Sequence, residues 1–144
     1  MEKNPYNPLE RKNLSENERR LLQFMRECIH GDNEDLIDLY VSEDYIQHTP
    51  GIGQGREGLR RYLKEVAWKR PGRYDFVPIH LFSDGNFVIL HKLLRAVVIV
   101  DIMRFNKNHQ LAEHWDVVQR LPESNYDPMA RSSEDLSRFK ELFE

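Results

Sequence analysis

The hydrophobic spacing of this chain changes once, near its middle. Up to about residue 68, apolar side chains recur at helical intervals; from about residue 74 onward, β-branched and aromatic residues crowd into four segments divided by short turns. A run of helices followed by a run of long strands is not the alternation that builds a parallel βαβ sheet. It predicts an α+β fold, with helices packed on one face of a curved antiparallel sheet. In the first half, Leu21, Leu22, Phe24, Met25, Cys28 and Ile29 form one helical stripe. Ser15 with Glu18 three residues on is a capping-box signature for its start, and Gly31 is the expected C-cap. A shorter helix follows, capped by Asp32 or Asn33, with Leu36, Ile37, Leu39 and Tyr40 on its apolar side. Residues 44–50 read as an extended piece stopped by Pro50, residues 51–55 as a glycine-rich loop, and residues 56–68 as a third helix ended by Pro71-Gly72. The expected strands are 74–82, 86–94, 97–105 and 111–121, the first two joined by an Asp84-Gly85 turn.

Length and charge narrow the function. At 144 residues, 40% hydrophobic and 31% charged, the chain is the size of one domain and too apolar to be a disordered tail. Lys and Arg number 21 against 24 for Asp and Glu, so the chain lacks the basic excess of a general nucleic-acid binder. The single cysteine, Cys28, excludes an internal disulfide and a cysteine zinc site, and it falls on a core-facing stripe rather than in a nucleophile's setting. The longest apolar run, residues 96–100, is too short to cross a bilayer, and residues 1–13 carry no apolar secretion signal. The expectation is a cytoplasmic chain with no membrane and no nucleic-acid partner. It divides into a polar arm over 1–14, a domain over 15–121, and a connector with a terminal helix over 122–144. The helix stripe of Leu136, Phe139 and Phe143 would dock on the domain or on a second subunit.

The last two strands allow a face assignment. With Lys107-Asn108 as the tip of a two-residue hairpin, Asp101 lies opposite His114, Ile99 opposite Asp116 and Met103 opposite Ala112. Asp101, Met103, His114 and Asp116 then project to one side of the sheet. Val98, Val100, Ile102, Arg104, Glu113, Trp115 and Val117 project to the other. A β-bulge would invalidate the pairing beyond it. If helices cover the first side, two carboxylates and an imidazole meet in a partly apolar chamber, where burial and neighbouring charge tune a general acid or base. The plainer reading is that Asp101 and His114 form a structural pair that satisfies itself.

Tyr45, Gln47 and His48 make a second polar group before the glycine loop. Tyr45 and Gln47 share a face in an extended chain and His48 takes the other, although the bend at Pro50 can redirect it. A functional His48 bonds a ligand at the chamber mouth; a structural one holds the loop. His91 lies mid-strand, and its face depends on a turn at Arg95-Ala96 that fixes no register. The six histidines include no His-x-His pair and no i, i+4 pair, so no metal site is expected. Gly51-Ile52-Gly53-Gln54-Gly55 fits neither a dinucleotide fingerprint nor a phosphate loop and reads as a flexible rim. Arg104 and Glu113 are expected to pair across strands on the outer face, and Trp115 beside Val100 and Val117 marks that face as an interface.

The strings Asp44-Tyr45-Ile46-Gln47-His48-Thr49-Pro50, Gly55-Arg56-Glu57-Gly58-Leu59, Val100-Asp101-Ile102-Met103-Arg104-Phe105 and Glu113-His114-Trp115-Asp116-Val117-Val118-Gln119 resemble, in order and spacing, the SnoaL-like polyketide cyclases of the NTF2-like superfamily. The likeness spans residues 17–121. It implies an NTF2-like cone, with a curved sheet around the N-terminal helices, an internal cavity, and a homodimer formed through the outer sheet face. Characterised cyclases of that family close a ring by intramolecular aldol condensation without metal or organic cofactor. A carboxylate is the acid/base, and the enolate is delocalised by the substrate itself. Asp116 is the closest match to that carboxylate, with His114, Asp101, His48 and Gln47 as cavity polar groups around it. Met103 stands where the family pattern has a polar or histidine residue.

Three readings follow. One is a cofactor-free enzyme, an aldol-type cyclase or isomerase, in which Asp116, His114 and Asp101 move a proton on an apolar carbonyl-containing molecule held by Tyr45, Gln47, His48, His91 and Met103. Another is a non-catalytic binding protein for a small apolar molecule. The third is a dimeric interaction module that works through its sheet and terminal helix.

Overall fold

The structure is a computed structural model and describes residues 4–8, 10–70, 76–94 and 97–120. Its described elements run α1 (Glu16–Phe24), α2 (Ile37–Tyr40), β1 (Val41–Gln47), α3 (Gly55–Glu65), β2 (Phe76–Asp84), β3 (Phe87–Leu94), β4 (Val97–Phe105) and β5 (Leu111–Arg120). The terminal helix and connector expected over 122–144 lie outside the described residues.

α1 begins as its sequence requires. Ser15 Oγ accepts the Glu18 N–H at 3.2 Å. Only half of the capping box forms, because the Glu18 carboxylate is used elsewhere. It is 2% exposed, accepts from Ser83 Oγ at 2.6 Å and faces Arg11 Nη1 at 2.6 Å, tying the helix start to β2. The helix continues through Met25–His30 with π-helical spacing and reaches its C-cap at Gly31. Gly31 has a right-handed backbone (φ −83°), and the left-handed residue is Asp32 (φ 51°). Gly31 is needed for space instead: a Cβ there would stand 2.6 Å from the Glu27 carbonyl oxygen. Asn33 caps the next turn by accepting from the Asp35 N–H at 3.2 Å. α3 is shorter than its apolar spacing predicts, stopping at Glu65 before a 3₁₀ turn over Ala67–Lys69.

The five strands form one sheet in the order β1-β5-β4-β3-β2, and β2 to β5 are antiparallel neighbours as expected. β1 adds a parallel pairing with β5, with Ile46 opposite Glu113 and Gln47 opposite His114, so the sheet is mixed. At the other edge the N-terminal arm runs beside β2. Leu81 N–H donates to Tyr6 O and Arg11 Nη1 to Leu81 O, both at 2.7 Å, which occupies backbone groups that a bare edge would leave open.

The register of the last hairpin differs from the two-residue expectation. The turn is wider, closed by Asn106 N–H on Gln110 O at 2.9 Å, with Asn106 Oδ1 accepting from the Asn108 and Gln110 N–H groups. A bulge then separates Phe105↔Leu111 from Arg104↔Glu113. Asp101 therefore sits opposite Asp116, and Met103 opposite His114. The displacement is two residues, and the side-chain period of a strand is also two, so every assigned face survives. Helices α1 and α3 cover the inner face. The core gathers Leu21, Phe24, Leu59, Leu63, Leu90 and Phe105. Cys28 lies in it, fully buried, and burial pushes its thiol up to about 12, as expected of a packing residue.

Candidate functional site

Between the helices and the inner sheet face lies a cavity of about 670 Å³, within the range of small-molecule sites. Most of its wall is apolar, with Phe24, Leu63, Trp68, Ile99 and Leu111 among the lining residues. Trp68 is fixed by donating its indole N–H to Cys28 O at 2.9 Å.

Asp101, Met103, His114, Asp116, Tyr45 and Gln47 all line this cavity. Strand alternation puts them there: within β1, Tyr45 and Gln47 are buried and Ile46 between them is exposed. The polar members form a chain. Asp101 Oδ1 lies 2.9 Å from His114 Nε2, and His114 Nδ1 lies 2.9 Å from Gln47 Oε1. Gln47 Oε1 also accepts the Thr49 N–H at 3.0 Å, which identifies it as the amide oxygen, so Nδ1 is the donor to it. The amide nitrogen of Gln47 then donates to the Tyr45 hydroxyl at 2.6 Å. Gln54 holds the Gln47 main chain from both sides, accepting its N–H at 3.1 Å and donating to its carbonyl at 2.6 Å. The glycine loop that carries Gln54 lines the cavity through Gly51 and Ile52 and carries this clamp: Gly51, Gly53 and Gly55 take left-handed φ, and Gly53 packs on Gly58.

Lys92 is the cavity residue that the sequence reading missed. Its ammonium lies 2.7 Å from Asp101 Oδ2. The available signal was alternation: Leu90 and Leu94 flank it at two-residue spacing, so a core-facing β3 takes Lys92 inward with them. Burial pushes the Asp101 carboxyl upward, but the charge of Lys92 and the hydrogen bond and charge of His114 outweigh it and hold the group below its ordinary value. Tyr45 shifts the other way, raised by burial first and then by the charges of Asp101 and Asp116.

Ligand atoms of Asp101, His114 and Asp116 fall within 4.8 Å of one another, a spacing that a metal ion can bridge. The arrangement nevertheless carries its own cation, since Lys92 takes one oxygen of Asp101, His114 the other, and Gln47 the second imidazole nitrogen. Asp116 differs from its neighbours. It is half-buried, lines the cavity, and has no hydrogen-bond or ion-pair partner among the described residues.

Two expected ligand contacts fall on the wrong side of the sheet. His48 does not bend into the chamber mouth. It stacks on Trp115 with ring centroids 4.7 Å apart and planes within 4°, and its Nε2 meets Glu113 Oε1 at 2.9 Å. Pro50 does not redirect it because β1 is still paired at that point, with His48 N–H bonded to His114 O at 3.1 Å. His91 also faces outward, opposite Val100. Its Nδ1 lies 2.9 Å from His80 Nδ1 in a stacked pair, and burial, then the charge of His80, lowers its pKa. The expected Arg104–Glu113 pair forms on this face at 2.8 Å. Around it Ile46, Phe82, Phe87 and Val117 remain exposed.

No protein-family model and no curated protein matches the chain. Solved structures do. A steroid delta-isomerase from Pseudomonas aeruginosa superposes with a TM-score of 0.56 at 16% identity, covering 92% of this chain and 93% of that one. An NTF-2 like protein of unknown function from Burkholderia xenovorans LB400 gives 0.57 at 21%, covering 83% and 90%. A SnoaL-like protein of unknown function from Burkholderia thailandensis gives 0.57 at 11%, covering 75% and 99%. The chain therefore has the NTF2-like cone fold, in the form shared by SnoaL-like and steroid-isomerase structures. Among the described residues, no helix is long and apolar enough to cross a membrane.

Proposed function

We propose that the protein is a cofactor-independent acid/base enzyme that moves a proton at a carbon next to a carbonyl, as an isomerase or aldol-type cyclase does, on a largely apolar small molecule. The observation that carries this reading is the isolation of Asp116. Of the three ligating groups in the cluster it alone has no partner among the described residues, and it lines a mostly apolar cavity of about 670 Å³. A carboxylate engaged by cations is a poor base; one left free beside bound substrate is available to take a proton. Asp101 and His114 are held by Lys92 and Gln47 and act as positioning residues that keep the inner face of β5 in place. The SnoaL-like and isomerase-like neighbours support the chemistry by analogy of fold alone. The protein also works as a homodimer in this reading, paired through the outer sheet face where Phe82, Phe87, Val117 and the His48–Trp115 stack lie.

The test needs no knowledge of the natural product. A panel of cyclic aryl ketones such as 2-tetralone is incubated with the protein in D₂O, and loss of the α-proton signal is followed by NMR. The parent chain accelerates exchange for at least one ketone, and Asp116→Asn reduces that rate roughly a hundredfold or more, the scale of a general base. Exchange no faster than in buffer, for ketones shown to bind, would overturn the reading.

A further inference from the structure

Most described arginines already face a carboxylate: Arg26 meets Glu27, Arg60 meets Asp38 and Arg104 meets Glu113. Arg61, Arg70 and Arg120 have no carboxylate partner among the described residues, and the last two line the cavity. Both are exposed, so neither needs a partner for the fold to stand. Strand register locates Arg120. The inward positions of β5 run His114, Asp116, Val118, Arg120, and Val97 of β4 lies opposite Arg120 with Leu94 of β3 beyond it. Arg120 is four residues from Asp116 along one strand, a Cα separation of roughly 13 Å at about 3.3 Å per residue, beyond ion-pair reach. The wall between them is apolar, formed by Leu94, Val97, Ile99 and Val118. Arg70 follows the 3₁₀ turn that carries Trp68, and its guanidinium carbon lies 5.7 Å from the centroid of the Tyr62 ring, another cavity-lining group. That contact positions the cation and supplies no oxygen acceptor for its N–H groups.

We propose that Arg70 and Arg120 hold the carboxylate of the substrate, an apolar keto acid whose carbonyl lies beside Asp116 at the other end of the same wall. This rests on the acid/base reading and deepens it by naming the substrate class. The other charges of the cavity leave this pair to the ligand: Lys92 is taken by Asp101, and Asp116 is out of reach. A guanidinium presents a planar fork of donors that matches the two oxygens of a carboxylate, and bidentate pairs of this kind are stronger than neutral hydrogen bonds. It is also more weakly hydrated than an ammonium, which suits a head group bound where an apolar wall meets solvent. Leu94, Ile99 and Val118 take the body of the ligand by apolar burial, which is non-directional and fixes no orientation. The charged end does that. With the acid held at Arg120, the span of roughly 13 Å brings the far end of an extended molecule to the Asp116 carboxylate. Holding a substrate by a non-reacting end supplies binding energy and orientation at the reacting carbon.

The experiment measures displacement of N-phenyl-1-naphthylamine, a neutral fluorescent probe of apolar cavities, by decanoate, 1-decanol and decyl phosphate. The expected result is that decanoate binds the parent more tightly than decanol, although removing a charge from water is otherwise unfavourable. Arg70→Gln and Arg120→Gln each weaken decanoate roughly three- to tenfold, between the worth of an exposed ion pair and that of a buried charged hydrogen bond. The double variant weakens it further, and decanol is nearly unchanged throughout. Arg61→Gln is the charge control. It removes the same charge from α3, beside a separate surface hollow with Glu57, Lys64 and Glu65, and leaves decanoate binding as in the parent. Equal affinity for decanoate and decanol in the parent, or the same loss in Arg61→Gln as in the cavity variants, would overturn the clamp. Tighter binding of decyl phosphate would overturn the carboxylate assignment, and decanoate that displaces nothing would overturn both. Displacement involves no proton transfer, so the two readings fail separately. Arginine-dependent decanoate binding without ketone exchange would sink the acid/base reading and keep the clamp as a binding site. Asp116-dependent exchange with arginine-independent decanoate binding would do the reverse.

Discussion

Lys92 Nζ lies 2.7 Å from Asp101 Oδ2, while His114 Nε2 takes the other oxygen of the same carboxylate at 2.9 Å. Asp101 is 4% exposed, so its charge depends on these two partners and not on water. Removing one member of a buried ion pair strands the other. Lys92→Met should therefore destabilise the fold by about 3 kcal/mol in urea unfolding. The double variant Lys92→Met/Asp101→Asn should cost less than the sum of the singles by at least about 1 kcal/mol, as expected for residues in direct contact. Additive losses would mean that the two side chains do not depend on each other.

The same contact gives the fold a specific acid sensitivity. The Asp101 carboxyl is held below its ordinary value of 3.8: burial alone would raise it, and the Lys92 charge with the His114 hydrogen bond reverses that. A depressed folded pKa contributes stability that is complete above the unfolded value and is lost as pH falls through the folded one. Glu27, Asp44 and Glu113 are lowered as well, so total stability cannot isolate the effect. The difference between the parent and Asp101→Asn can. It should be constant from neutral pH down to about 5 and shrink progressively as pH falls through and below the ordinary carboxylate range. A difference that persists undiminished in acid would assign the cost of the variant to packing.

Much of this site was legible before the structure, for a reason visible in β4 and β5. Face assignment depends only on parity, so Asp101, Met103, His114 and Asp116 share a side whether the hairpin turn is two residues wide or, as in the structure, shifts the register by two. Parity was equally available for Lys92, between Leu90 and Leu94, but a lysine reads as solvent-facing until a buried carboxylate is known to meet it. The parallel pairing of β1 with β5 was not legible, because β1 carries no turn that would fix its neighbour. His48 failed for a related reason. The bend at Pro50 was visible in sequence, but not that β1 would still be paired to His114 when it reached His48.

The outer face yields a prediction about assembly. Val117 is 65% exposed and Phe87 40%, on the same side as the His48–Trp115 stack. In a homodimer joined through this face, Val117→Glu places a charge in an apolar contact. The parent should sediment as a dimer and the variant as a monomer, while a surface change of this kind leaves the stability of the single chain within about 0.5 kcal/mol. A monomeric parent at micromolar concentration would remove the dimer from the proposed function.

The glycine loop yields the last prediction. A Cβ on Gly58 would stand 2.7 Å from the carbonyl carbon of Gly53, too close without moving backbone, whereas a Cβ on Gly51 would meet nothing within 4 Å. Gly51 has a left-handed φ of +86°, so alanine there carries conformational strain alone, about 1 kcal/mol. Gly58→Ala must instead push the loop off the start of α3, an overpacking cost of roughly 1–3 kcal/mol. The displaced segment includes Gln54, whose side chain clamps both backbone groups of Gln47. Gly58→Ala should therefore lose ketone exchange as well as stability, and Gly51→Ala should lose a little stability with its exchange rate nearly intact. Comparing thermal melts with the D₂O exchange rate for the two variants checks this, and equal loss of exchange in both would show that the Gln54 clamp does not set the site.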